Sequence, residues 1–181
     1  GDTMAWSPSG DALAYTNLLG GRVYFGGETP TFVTLHESVF VSFLWSPGGD
    51  YLAAEADQNI WWLYRREGSQ MVLTSAIPSS VGLAWFSPTE AVFAPATGGL
   101  LLMDLGNRNA QATLLDNTWV CALPTLRSDG SLVTFARSTS DNRVPEGSGV
   151  LVAFSPVDKQ PDQEGTSAVD LTGLRWAPGG Q

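Results

Sequence analysis

The chain has 181 residues, 43% hydrophobic and 15% charged, which suits one globular domain with a substantial core. A formal charge of −9, with Lys159 the sole lysine, repels a phosphate backbone, so nucleic acid is not an expected partner. The lone Cys121 excludes an intrachain disulfide and lacks companions for a zinc or redox motif, and no apolar run reaches the roughly 18 residues that would span a bilayer, so direct membrane insertion is not expected.

Taken from the N-terminus, the first distinctive segment is Ala5-Trp6-Ser7-Pro8-Ser9-Gly10-Asp11-Ala12-Leu13-Ala14-Tyr15, and it returns as Leu44-Trp45-Ser46-Pro47-Gly48-Gly49-Asp50-Tyr51-Leu52-Ala53-Ala54. Weaker copies lie at 85–93 and 126–135, and a final one, Trp176-Ala177-Pro178-Gly179-Gly180, breaks off at the last residue. Pro8, Pro47, Pro88, Ser128 and Pro178 are separated by 39, 41, 40 and 50 residues, so the period is near forty and the last interval carries an insertion. The motif reads as a hairpin. An aromatic ends one strand, Ser-Pro fixes φ, Gly supplies a left-handed turn residue, and an apolar run leads back.

The strands predicted in chain order are 4–8, 12–16, 22–25 and 32–35, then 41–47, 51–55, 60–65 and 71–75. The next are 82–86, 91–95, 100–105 and 112–115, and the last 121–126, 132–136, 150–155 and 166–169. Four strands per repeat is the unit of a β-propeller, giving an all-β chain of about four four-stranded blades over 4–40, 41–81, 82–120 and 121–172. Residues 173–181 start a fifth. The runs 60–64 and 100–103 are continuously apolar rather than alternating, as sheets covered on both faces require.

Trp-Ser-Pro-x-Gly-x-x-Leu-Ala at this spacing resembles the WD-repeat-like β-propellers of the TolB type, a motif class shared with the propeller domains of prolyl oligopeptidase relatives. The resemblance spans nearly the whole chain. It weakens in the fourth copy, where Leu126 and Ser128 stand in the Trp and Pro positions. It implies a docking platform, a ligand-binding disc or a filter for an attached hydrolase, and it implies an extracytoplasmic setting, periplasmic or at the cell surface.

Chemistry-bearing residues are sparse. His36 is the only histidine, and no Gly-x-Ser-x-Gly nucleophile motif accompanies it, so neither a hydrolase triad nor a metal site is predicted and no cofactor is expected. Glu55, Asp57, Asp116 and Asp141 are the carboxylates placed in loops, where a pair could serve acid and base catalysis or simply be solvated. The repeated Trp6, Trp45, Trp85 and Trp176 share one phase of the repeat and are assigned to packing between blades. Trp61 and Trp62 are adjacent in a strand, point to opposite faces and form no flat platform.

In a propeller the connections from second to third strand and from fourth strand to the next blade share one rim, where function concentrates. That rim carries His36, Glu55, Asp57, Asp116, Trp119, Arg137, Asp141 and Arg143, the candidate partner-binding residues. The longest connections expected are 137–149 and an acidic one at 156–170. The reading is a non-catalytic scaffold for a protein or other extended ligand, with the propeller of a larger hydrolase or a carbohydrate-binding propeller as alternatives. An inner strand at 174–178 with no blade after it, and bare apolar faces on the first and fourth blades, predict a ring that continues in further blades or in a second chain.

Overall fold

The repeated hairpin is the local device from which the fold is built. In the computed structural model, which describes residues 3–57, 59–78, 80–95, 99–107, 112–116, 119–126, 132–138, 149–155 and 161–167, the first two copies have the same geometry. The Ser7 amide donates to the Ala12 carbonyl (2.8 Å) and the Ala12 amide to Ser7 Oγ (3.0 Å), while the Gly10 amide donates back to the Ser7 carbonyl (2.9 Å). Ser46, Tyr51 and Gly49 repeat the set at 2.9, 3.1 and 2.9 Å. Gly10 and Gly49 have φ of 73° and 77°, a region that costs an L side chain energy and a glycine none.

Among the described residues sixteen strands form four antiparallel four-stranded sheets, each built from consecutive strands in order. The first holds β1 (Met4–Trp6), β2 (Ala12–Asn17), β3 (Gly20–Phe25) and β4 (Thr31–Thr34). The second holds β5 (Phe40–Trp45), β6 (Tyr51–Ala56), β7 (Ile60–Glu67) and β8 (Gln70–Ile77). The third consists of β9 (Ser80–Trp85), β10 (Glu90–Pro95), β11 (Leu100–Asp104) and β12 (Thr113–Asp116). The fourth consists of β13 (Trp119–Leu126), β14 (Leu132–Ser138), β15 (Gly149–Phe154) and β16 (Pro161–Ser167). Contacts group the sheets in pairs, as two units, Gly1–Ser79 and Ser80–Gln181.

Within the first unit, alternation along the strands gives the first sheet one small-residue face. Ala12, Ala14, Val23 and Phe25 on that face pack against Phe40, Phe43, Leu52, Ala54 and Tyr64 of the second sheet. Gly21 lies directly under the Phe40 ring, where any Cβ would collide with it, so the close approach of the two sheets depends on glycine at this position. Polar ties reinforce the contact. Trp45 Nε1 donates to the Ala5 carbonyl (3.1 Å), Thr16 Oγ1 to the Phe40 carbonyl (2.9 Å) and Thr3 Oγ1 to the Val41 carbonyl (3.1 Å).

In the second unit β13 runs beside β9 and β10. Leu83, Trp85, Phe86, Val92 and Leu100 are buried, and the buried Ser80 hydroxyl donates to the carbonyls of Gly82 and Ala94 at 2.8 and 3.0 Å. The structure differs from the sequence reading in the fourth sheet. Residues 161–167 of the long acidic connection expected at 156–170 form strand β16, paired with β15 from Gly149↔Ser167 to Phe154↔Pro161. Its sequence, Pro-Asp-Gln-Glu-Gly-Thr-Ser, lacks the apolar signature of a strand because an outermost strand has little to bury, and Pro161 takes the first strand position, which a proline can occupy.

Candidate functional site

The connections β2–β3, β4–β5 and β6–β7 bring one rim of the first unit together, and His36 and Asp57 sit on it. Residues 35–39 join β4 to β5, and they are held down by backbone bonds from Gly21 to the His36 carbonyl (3.2 Å) and from Leu35 to the Gly21 carbonyl (2.9 Å). Gly20, at φ 109°, lies against the His36 carbonyl where a Cβ could not fit. The His36 ring is thereby stacked on Trp62 of β7, with centroids 4.5 Å apart and planes inclined by 22°, and its Nδ1 is 2.7 Å from Ser38 Oγ. His36 is exposed, a surface imidazole lying over an aromatic.

Glu55 is in β6, half-buried, directly across from Trp61. Burial pushes its carboxyl above the usual carboxylate range. Trp62 pairs with the next residue back, Ala54, so the His36–Trp62 stack and Glu55 lie on opposite faces of the second sheet. The structure therefore keeps the imidazole and this carboxylate apart. Asp57 is exposed in the β6–β7 turn, where Asn59 takes φ 59°. Trp61 is buried and Trp62 partly so, and the indole N–H of each lacks an acceptor among the described residues.

In the second unit the candidates fall at strand ends rather than in loops. Asp116 closes β12 opposite Leu100, Trp119 opens β13 opposite Ser138, and Arg137 pairs with Val120 near the end of β14. Asp141 and Arg143 lie outside the described residues. Among the described residues no group of three His, Cys, Asp or Glu side chains is placed to hold a metal ion, and no helix is long and apolar enough to cross a membrane.

Residue-by-residue reasoning missed a second feature, the free face of the first sheet. Met4, Leu13, Tyr15, Tyr24 and Phe32 line an open groove of about 1130 Å³ that also reaches Val39. Met4 and Phe32 are each 62% exposed and Trp6 is 57% exposed, in contrast to the buried Trp85. Tyr24 and Phe32 meet at 5.2 Å. The period-two phase of the strands could have identified this face, since Met4, Trp6, Leu13, Tyr15, Tyr24 and Phe32 all share it.

No family model and no curated protein matches the sequence. Solved structures do match in fold. The β-propeller domain of Cps50 (Swd1) from Myceliophteria thermophila superposes with a TM-score of 0.64 at 14% identity, over 98% of this chain and 61% of that one. The C-terminal WD40 domain of Sif2 gives 0.55 at 12% identity, over 87% of this chain and 55% of that one. Saccharomyces cerevisiae Sqt1 gives 0.57 at 14%, over 88% of this chain and 46% of that one. The fold is accordingly an all-β propeller, and the chain spans between about half and three fifths of these structures.

Proposed function

We propose that the chain is a non-catalytic propeller scaffold, part of a larger ring, that binds a protein or other extended ligand on the rim of the first unit that bears His36 and Asp57. The observation that carries this is the likeness in fold to WD40 propellers, an architecture that serves in general as a protein-interaction platform. The separation of His36 from Glu55 by a sheet adds to it, because the sole imidazole has no acid partner there. The spacing of Trp-Ser-Pro supports a repeat of the TolB type, and with it an extracytoplasmic setting that fractionation of native cells would test.

The rim is tested by affinity purification from the native source with three forms of the protein. A variant carrying His36→Ala and Asp57→Arg should lose the partners that the unaltered chain retains. Glu28→Lys, an exposed change between β3 and β4 at the opposite rim, should keep them. Equal recovery with the rim variant would refute this docking surface.

A further inference from the structure

We infer that the outer edge of β8 is a self-pairing site, at which a second copy of this chain adds its own β8 antiparallel and joins the two second sheets into one. The inference goes beyond the rim and uses none of its residues. Its basis is a comparison of the four outermost strands, which among the described residues each pair on one side only. A strand in that position presents a row of unpaired N–H and C=O groups, which proteins guard by brevity, proline or charge. Three of the four are guarded. β4 has four residues and follows Pro30, β12 has four and ends in Asp116, and β16 opens on Pro161 and carries Asp162 and Glu164. β8 is eight residues long, Gln-Met-Val-Leu-Thr-Ser-Ala-Ile, with neither proline nor charge.

The apolar side chains of β8 lie where an added strand would use them. Val72 and Leu73 are 38% and 47% exposed, and as neighbours in a strand they flank the edge on opposite faces. The register with β7 breaks once, between Leu63↔Ser75 and Tyr64↔Leu73. Thr74 is therefore a bulge residue, stitched to the Leu63 carbonyl through its Oγ1 (2.8 Å). The bulge bends the strand from Thr74 onward and leaves 70–73 as the regular, open stretch. Arg65 and Arg66, the β7 partners of Val72 and Met71, are already paired with Glu67 and Asp11. Backbone and apolar contact, rather than ionic attraction, thus decide what pairs here.

The occupant follows from the sequence of this stretch, which complements itself. A two-fold axis through the edge at Val72, perpendicular to the sheet, sets Val72 opposite Val72, Met71 opposite Leu73 and Gln70 opposite Thr74. Apolar then meets apolar on both faces and polar meets polar at the ends, the cross-strand pairs that stabilise a sheet. The contact is isologous, so it covers both open edges at once and stops at a dimer. The second unit of another copy is a poorer match. Its outermost strands would bring Asp116, or Pro161 with Asp162 and Glu164, against an uncharged edge, and such a head-to-tail contact would leave one β8 uncovered in any dimer. Further blades would stack on sheet faces and leave this edge open.

The test uses the full chain with Cys121→Ser, which removes its only thiol. Directly opposed residues of an antiparallel pair have Cα atoms about 5 Å apart, within disulfide range. Val72→Cys should therefore link two chains under mild oxidation. Gln70→Cys, set roughly 14 Å from its mate in this register, should not, and neither should Leu18→Cys, fully exposed on the β2–β3 turn. Light scattering over a concentration series should find the Cys121→Ser chain dimeric. Val72→Lys, which opposes two ammonium groups, should raise the dimer dissociation constant at least about tenfold with an unaltered circular dichroism spectrum. A chain monomeric at every concentration, equal cross-linking of the three cysteine variants, or a dimer that survives Val72→Lys would overturn the proposal. His36→Ala with Asp57→Arg should leave the dimer intact and Val72→Lys should leave partner capture by the rim intact, so the two readings fail separately.

Discussion

Asp11 is a hub of polar contacts between the first two blades. It accepts from Ser7 Oγ (2.9 Å) and Ser9 Oγ within its own turn, and from the Arg66 guanidinium at 3.1 and 2.6 Å in the next blade. Arg66 also lies 5.0 Å over the Phe25 ring. The Arg66 hydrogen bonds first, then Ser9 and Ser7, hold the Asp11 carboxyl well below the usual carboxylate range. A depressed carboxyl stabilises the fold above its ordinary pKa, and the contribution is lost as pH falls towards the folded value. Asp11→Asn should therefore destabilise the protein at pH 7 by up to about 1 kcal/mol, since the pair is partly exposed. The difference in urea midpoint should close in acid. Glu55 has the opposite sign. Burial raises its pKa, so ionisation costs stability as pH rises through that value. Glu55→Gln should raise Tm at pH 7 and leave it unchanged where Glu55 is already protonated.

At the scale of strands and turns, the sequence carried the hairpins plainly because each part has a backbone cause. Trp-Ser-Pro-x-Gly predicts the turn, and Gly10 and Gly49 take the left-handed φ it demands. The serine contributes more than its place in the motif revealed. Ser7 and Ser46 are buried at 3% and 0%, and their hydroxyls cap the amide that re-enters the sheet. Strand β16 was illegible for the reason that an outer strand has little apolar surface to bury, and Trp119 and Arg137 passed for loop residues because strand ends blur into polar connections. Equal phase in the repeat does not mean equal burial. Trp85→Ala should cost about 3–5 kcal/mol in a denaturant melt through cavity formation, whereas Trp6→Ala, at an exposed site, should cost under about 1 kcal/mol. Equal losses at both sites would contradict the packing described.

For the molecule as a whole, the fold was legible from period and turn chemistry alone, while the site was only outlined. A sequence lists which residues fall on the rim and omits which face of a sheet each one takes. That omission is what separates His36 on Trp62 from Glu55 beside Trp61. The free aromatic face was hidden for a related reason, since Tyr15, Tyr24 and Phe32 look like ordinary core until the neighbour that should cover them is sought. The same nearest-neighbour logic bears on how the protein is made. The side-chain ties between the first two blades join residues 24, 38, 40 and 55 positions apart, from Thr16–Phe40 to Asp11–Arg66. A nascent chain leaving the ribosome meets each of these partners within about one and a half repeats of further synthesis, so the first unit can consolidate by accretion while the rest is still being translated.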